Sequence, residues 1–545
     1  MVAADTPMDE LLSFTIENNV IKGKTKPYTS HYKSAGALLF DILKETPSTI
    51  SQVDGLTGIE DSYEDMLDRA IKCALWLKKQ GIGKGDIVAT STDVHRECLI
   101  PCLASLFIGA IFNAWDSDMN VHLARHFITM SEPKVLFANE ESVRVALEAA
   151  KIEVFPVKVV TYGKYAGTTP FSEVLKGHNK SDVADFQCTE IDNSQDTAYI
   201  LYSSGTTGLP KGVMTSHHSL LGVLQMTDLM NMSSSSLMWF SPIYWVSGLL
   251  LSLLSISTRR KRIITPNYQD KIACELIEKY KIGWVMLSTS MANRFVRYSG
   301  LHDYDLSSLK VLFVGGACLK KESQDLLKKH LPQTMIIQAY GMTEMGGLIT
   351  TQVSGSSTSG SCGIVNVNCQ LKIVDIDTGK TLGPNETGEI CGKSIHMMTG
   401  YFKNPEATAN TIDKEGWLHS GDIGYFNEKG ELFIIDRLKE LIKYLGYQVT
   451  PTEIENLLQS HPGVLEAAVV GIPHPTEDEH PIAFVSKVPN MEVTAEELIK
   501  KVATTLTDHF HLRGGVQFLP SLPHTPSGKV SRKELKAIAR SMATT

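Results

Sequence analysis

The segment Tyr202-Ser203-Ser204-Gly205-Thr206-Thr207-Gly208-Leu209-Pro210-Lys211-Gly212 has the residue types that hold a polyphosphate. Small residues let backbone N–H groups approach phosphate oxygens. The hydroxyls donate to them, and the lysine neutralises charge. The flanks read as strands: Thr197-Ala198-Tyr199-Ile200-Leu201 before the loop and Val213-Met214-Thr215-Ser216 after it. The loop is not a Walker A motif. That motif needs Gly-Lys-Ser/Thr, whereas Lys211 stands between Pro210 and Gly212. Taken alone, such a loop is far more often a turn or linker, so its chemistry depends on the motifs that accompany it.

Five further segments accompany it. Gln338-Ala339-Tyr340-Gly341-Met342-Thr343-Glu344 offers a carboxylate, the hard ligand Mg²⁺ takes beside a phosphate. Gly315-Gly316-Ala317 offers bare backbone after a strand. Trp417-Leu418-His419-Ser420-Gly421-Asp422-Ile423-Gly424 and Asp436-Arg437-Leu438-Lys439-Glu440-Leu441-Ile442-Lys443 follow, the latter running on into Tyr444-Leu445-Gly446-Tyr447-Gln448-Val449. Pro526-Ser527-Gly528-Lys529-Val530-Ser531-Arg532-Lys533 comes last. Singly, these residues read as a helix start, a tight turn, turn aspartates and solvated charge.

Together and in this order they resemble the motifs of the adenylate-forming enzymes: acyl-CoA synthetases, coumarate-CoA ligases and beetle luciferases. The resemblance covers nearly the whole chain. It implies that Ser203, Ser204, Gly205, Thr206, Thr207, Gly208, Lys211 and Thr343 surround the ATP phosphates and that Glu344 binds Mg²⁺. Gly315, Gly316 and Ala317, with Gln338, Tyr340 and Gly341, would receive the adenine side of the nucleotide. Asp422 would accept hydrogen bonds from the ribose hydroxyls, and Arg437 would hold ribose and phosphate. Asp436 would be a hinge, and Lys529 would drive adenylation. Lys443 and Gly446 would belong to a segment that turns toward the site for a second half-reaction. Most relatives carry Pro where Cys318 stands.

The implied chemistry joins two anions, a carboxylate and the α-phosphate of ATP. The barrier is mainly electrostatic, and cations aimed at the transition state lower it. The acyl-adenylate is water-sensitive and needs a closed site. Rotation at Asp436 would then exchange Lys529 for Gly446 and admit the thiol of CoA. The alternative is a luciferase that oxidises the adenylate with O₂. Transfer to a carrier protein is a third class, and no carrier domain follows Lys533 in this chain. Arg513-Gly514-Gly515-Val516 resembles insect luciferase-like acyl-CoA synthetases in particular. The acyl pocket departs from the beetle pattern. Trp245 replaces a histidine, Ser247 a stacking phenylalanine and Val223 an arginine, while Leu348 lies in Met345-Gly346-Gly347-Leu348, which replaces a Thr/Ser/Ala-rich run. These changes remove a polar aromatic slot for beetle luciferin, and Trp245 would instead gate an aliphatic or other aromatic acid.

The elements that must position these residues alternate. Ser62 to Gln80 has helical period, and Gly81 to Asp86 turns into the strand-like Ile87-Val88-Ala89-Thr90. Leu309 to Val314 is a strand entering Gly315-Gly316. Alternation of this kind predicts α/β with mostly parallel sheets. After the flexible Ser354 to Ser361, short strands at Leu371 to Asp375 and Gly388 to Cys391 predict a small β-rich unit. The resemblance divides the chain into 1–435, a large domain of stacked α/β subdomains plus a β-barrel-like unit, and 436–545, a small mobile α+β domain.

The bulk composition is ordinary for a globular protein. Of 545 residues, 43% are hydrophobic and 21% charged, with net charge −8 and pI about 6.1. Nothing points to nucleic acid or to a membrane surface. The one basic run, Arg259-Arg260-Lys261-Arg262, reads as a solvated helix end. Nine scattered cysteines suit reduced thiols, and Cys98 and Cys102 read as buried small hydrophobes. No signal peptide and no C-terminal Ser-Lys-Leu are seen, so the cytosol is the expected compartment.

Overall fold

The computed structural model describes residues 13–27, 30–203, 209–225, 232, 236–353, 357–445, 447–489, 491–524 and 529–543. Of the candidate residues, Ser204, Gly205, Thr206, Thr207, Gly208 and Gly446 lie outside these segments. The chain forms two compact units. One contains the residues up to Leu371 together with Gly392–Leu418, and the other Lys372–Cys391 together with the chain from His419. The expected boundary at 435/436 falls inside the second unit.

Among the described residues, the first unit has two large sheets. One runs in the order Gly400–Tyr401, Lys211–Ser216, Thr197–Ser203, Ile111–Trp115, Ile87–Ser91, Val135–Ala138, Lys158–Thr161, Thr169–Pro170. It is parallel from Thr197–Ser203 outward, and its last two strands on the other side are antiparallel. The other sheet is centred on Met335–Met342, Val311–Gly315, Trp284–Ser288, Ser236–Trp239 and Lys261–Ile264, which are all parallel neighbours. The expected alternation of strand and helix is therefore present. Parallel strands buried on both faces need near-continuous apolar sequence, which Val311-Leu312-Phe313-Val314 supplies.

One buried cluster draws on both sheets and on the helices Ala35–Glu45, Tyr63–Lys79, Ile100–Ile108, His217–Leu224 and Val246–Ser257. The helix Tyr63–Lys79 starts where its sequence directs: Ser62 accepts from the Asp65 N–H, and the Asp65 carboxylate accepts from the Ser62 N–H, a capping box. Cys98 and Cys102 are buried, as expected, and none of the nine cysteines is in a disulfide.

The basic run corrects the sequence reading. Its last residues enter the strand Lys261–Ile264, which is paired on both sides within its sheet and buries Arg262, Ile263 and Ile264 alike. Arg262 is 2% exposed, and its guanidinium donates to Gln52 Oε1 (3.0 Å from Nε) and to Ser252 Oγ (2.7 Å). Arg259 alone behaves as foreseen, pairing at the surface with Glu45.

The second unit is α+β. Its sheet runs Tyr447–Val449, Ile442–Tyr444, Asp478–Lys487, Val464–His474, with Val516–Phe518 parallel to Asp478–Lys487. Helices Pro451–Gln459 and Arg532–Ala543 pack on the strand Val464–His474. The antiparallel pair Leu418–Phe426 and Leu432–Arg437 also contributes to this unit. No helix among the described residues is long and apolar enough to cross a membrane.

Candidate active site

In the first unit the phosphate-type loop is a strand-to-strand connection. Ser203 pairs with Lys211, so the described residues that flank the loop lie side by side in an antiparallel pair. A ring N–H of His126, on the helix Val121–Ser131, donates to Pro210 O at 2.7 Å and anchors the returning end. Lys211 places its ammonium 4.7 Å from the centre of the Tyr401 ring. The Tyr401 hydroxyl donates to Glu344 Oε1 at 2.9 Å. Burial, then the charge of Glu344, pushes the Tyr401 phenol well above its ordinary range, so it remains a donor.

Glu344 is 6% exposed and lies in the single turn Thr343–Met345, just past the strand Met335–Met342. That strand is the parallel neighbour of Val311–Gly315, with Val314 opposite Gln338. Gly315-Gly316-Ala317 and Tyr340 to Glu344 therefore leave the sheet at the same carboxyl edge, the side on which open parallel sheets bind ligands. Two glycines are required here. Gly316 has φ 89°, and a Cβ on Gly341 would lie 2.1 Å from Gly347 O. Gly316 and Ala317 are exposed, as a backbone platform must be.

Gln338 lies in the interior behind this edge. It is fully buried, and its side-chain amide accepts from Leu319 N and donates to Ser361 O at 2.7 Å. The residue ties down the loop that follows Gly315-Gly316-Ala317. Tyr340 is buried in the same strand.

The acyl-pocket candidates divide between two packing environments. Helix Val246–Ser257 contacts both the helix His217–Leu224, which carries Val223, and the strand Gly347–Thr351, which carries Leu348. Val223 and Leu348 pack against the main core. Trp245 precedes that helix and meets Tyr244 edge-on at 4.8 Å, in a cluster with Tyr202, Trp115 and Phe127. Ser247 is half-buried in the helix's first turn. Close to Val223 lies a residue the sequence reading missed. His396 is 3% exposed, its ring is 2.5 Å from where a Cβ on Gly222 would stand, and neither ring nitrogen has a hydrogen-bond partner among the described residues.

In the second unit Asp422 and Arg437 are opposite each other in the register of their two strands, with Arg437 Nε 3.2 Å from Asp422 Oδ1. The strand segment that presents Asp422 is clamped by Glu389. Its Oε2 accepts from His419 Nδ1 at 2.7 Å and its Oε1 from Gly421 N at 3.0 Å. Ser420 Oγ accepts from Asp422 N at 3.0 Å and donates to Ile390 O at 2.6 Å. Lys529 remains an exposed residue. Even so, protein packed around its ammonium end, and then Arg437, hold its pKa down to about 8, with Asp422 opposing and Lys439 adding to the effect. Asp436 is 8% exposed; its Oδ1 accepts from Arg437 N at 2.7 Å and its Oδ2 from Thr452 N at 3.0 Å. Lys443 is exposed on Ile442–Tyr444, and its backbone N–H donates to Glu479 Oε2 at 3.0 Å.

The family model described as AMP-binding enzyme matches residues 41–402, and that described as AMP-binding enzyme C-terminal domain matches 453–529. The chain belongs to the AMP-binding enzyme family. A probable 4-coumarate–CoA ligase 1 of Dictyostelium discoideum is 34% identical over 549 residues, covering 95% of this chain and 98% of that one. A luciferin 4-monooxygenase of Luciola mingrelica is 30% identical over 539 residues, covering 96% and 98%. Among solved structures, ATP-bound MatB of Rhodopseudomonas palustris superposes with TM-score 0.85 at 26% identity over 93% of this chain and 99% of that one. This member is an adenylate-forming enzyme of the ligase type, with a large N-terminal and a small C-terminal domain.

Proposed function

We propose that the protein is an ATP-dependent acid–CoA ligase acting on a small-molecule carboxylic acid, aliphatic or aromatic. A carboxylate oxygen attacks the α-phosphorus of ATP, an O–P bond forms, and pyrophosphate leaves. The CoA sulfur then attacks the acyl carbon, a C–S bond forms, AMP leaves and the thiol proton is released. The observation that carries this reading is the contact chain Lys211–Tyr401–Glu344, which links the phosphate-type loop to the Thr343–Glu344 turn. Lys211 and Thr343 would hold the departing pyrophosphate. Asp422 and Arg437 would hold the ribose, and Lys529 would present its ammonium to the carboxylate and α-phosphate. The full-length similarity to 4-coumarate–CoA ligases supports CoA as acceptor.

Glu344 fits a Mg²⁺ ligand: it is a buried carboxylate with one oxygen held by a phenol, and oxygen donors are what this ion takes. When bound, the ion supplies neutralisation of phosphate charge. Tyr401 keeps the carboxylate oriented.

Pyrophosphate release, screened over fatty and aromatic acids with and without CoA and alongside photon counting, tests the proposal. Acid-dependent release and a CoA thioester product are expected. Light from an added luciferin without thioester formation would favour the luciferase reading. With Trp245, Ser247 and Val223 in place, beetle D-luciferin is expected to emit weakly at best.

A further inference from the structure

The second unit carries a cluster of donor groups that adenylation does not use. The hairpin of Val464–His474 and Asp478–Lys487 pairs His474 with Asp478 and Ile472 with His480. His474 and His480 are thus diagonal neighbours across the two strands, close enough for ring contact. Their rings stack with centroids 4.0 Å apart at 15°. Glu477, in the turn between them, places Oε2 2.6 Å from His480 Nε2 and 3.9 Å from His474 Nδ1. One donor atom from each of the three residues lies within 4.8 Å of the other two. His474 Nδ1 is buried and has no hydrogen-bond partner among the described residues. Glu479, two residues beyond Glu477, is engaged elsewhere, accepting from Lys443 N.

We propose that His474, Glu477 and His480 form a binding site for a divalent transition metal of the zinc class. Two imidazoles and one carboxylate are the donor set of Zn²⁺, Co²⁺ or Ni²⁺ rather than of Mg²⁺ or Ca²⁺, which take oxygen. Metal–ligand bonds of about 2.1 Å at tetrahedral angles separate donors by about 3.4 Å. The present separations of 2.6 and 3.9 Å bracket that value, so modest side-chain rotation completes the site. The metal displaces the proton that His480 Nε2 shares with Glu477, and it gives the buried His474 Nδ1 a partner. All three residues are partly exposed, which admits the ion and leaves its fourth position to water. The donors come from both strands and the turn, so the ion would pin the end of the hairpin.

A second candidate cluster in the same unit, Glu389, Cys391 and His419, sets the control. There His419 donates to Glu389 on the strand that carries Asp422. The experiment is zinc titration of the chelator-treated full-length protein, by calorimetry and native mass spectrometry without nucleotide. One Zn²⁺ per chain is expected. Affinity should fall at least about tenfold in His474→Ala and in His480→Ala, the scale of weakened metal ligation, and also in Glu477→Gln. Cys391→Ser should bind as the parent does. Co²⁺ bound to the parent should show d–d bands without a thiolate charge-transfer band. Undiminished zinc binding by the His474→Ala/His480→Ala double variant, or its loss in Cys391→Ser alone, would overturn the assignment. Absence of stoichiometric zinc binding by the parent would do the same.

Discussion

Lys529 shows how a single side chain can set a pH limit. Packing and Arg437 lower its pKa to about 8, so it is mostly cationic at pH 7 and loses its charge above about 8. If the ammonium is what adenylation needs, kcat/KM for acid-dependent pyrophosphate release should fall as pH rises through about 8, because that ratio reports the free enzyme. Lys529→Arg should move the decline upward. Lys529→Ala should slow pyrophosphate release by about two to three orders of magnitude, the scale of one lost transition-state donor, while sparing CoA transfer from a supplied acyl-adenylate. Equal damage to both half-reactions would exclude the role. Two buried histidines set a limit at the acid end. Desolvation lowers the pKa of both His217 and His396 to about 4, against about 6.5 in an unfolded chain. Between those values the unfolded state binds more protons, so stability present above about pH 6.5 is lost as pH falls toward 4. For each residue the loss is about 2 kcal/mol at pH 5. His396→Met should keep or raise the urea midpoint at pH 7, since it removes two buried nitrogens without hydrogen-bond partners, and should reduce the drop between pH 7 and pH 5. An unchanged drop would refute the linkage.

The contact chain Lys211–Tyr401–Glu344 is assembled from three elements far apart in sequence. Tyr401 sits on a two-residue strand that pairs with Lys211–Ser216, Val213 opposite Tyr401, and the Thr343–Met345 turn ends another sheet's strand. Tyr401→Phe should keep the ring beneath Lys211 but remove a hydrogen bond to a buried carboxylate, a contribution of about 1.5–3 kcal/mol. The expected result is a roughly tenfold or greater loss of pyrophosphate release, with a raised Mg²⁺ requirement. Parent-like Mg²⁺ dependence would count against Glu344 as the ion's ligand. This chain also marks where sequence reading stopped. Parallel strands such as Val311–Gly315 were legible because apolar runs ending in glycine have few other uses, and the motif order was legible because chemistry constrains spacing. Tyr401 was not, since a lone Gly-Tyr after the turn at 395–399 carries no periodicity, and its partner is 57 positions away. Arg262 was misread because a charge run looks solvated until the fold places one member in a strand that is paired on both sides. Gln338 lies in a recognisable motif, but only the fold reveals that its amide holds the Leu319 and Ser361 backbones.

At the scale of the whole molecule, the two half-reactions make conflicting demands on one chain. Lys529 and Gly446 lie in separate motifs after Asp436, and the resemblance assigns them to different steps, so a hinge at Asp436 remains a proposal that the residue's own contacts make testable. Asp436 does two things locally. Its carboxylate holds Arg437 N and Thr452 N, the latter at the start of helix Pro451–Gln459, and its backbone lies within the strand Leu432–Arg437. Asp436→Ala removes both side-chain bonds and leaves the backbone free to turn. Asp436→Pro removes the same bonds, fixes φ near −65° and deletes an N–H. The difference between the two variants therefore isolates backbone rotation from side-chain anchoring. Hinges act by absorbing φ/ψ change, so Asp436→Pro should lose CoA transfer well beyond Asp436→Ala while adenylation falls equally in both. Single-turnover measurements of pyrophosphate release and of thioester formation from supplied acyl-adenylate separate the steps. Gly446→Trp should block only the second. Equal thioester rates in the alanine and proline variants, or thioester formation intact in Gly446→Trp, would mean that the chain performs both steps without turning at Asp436.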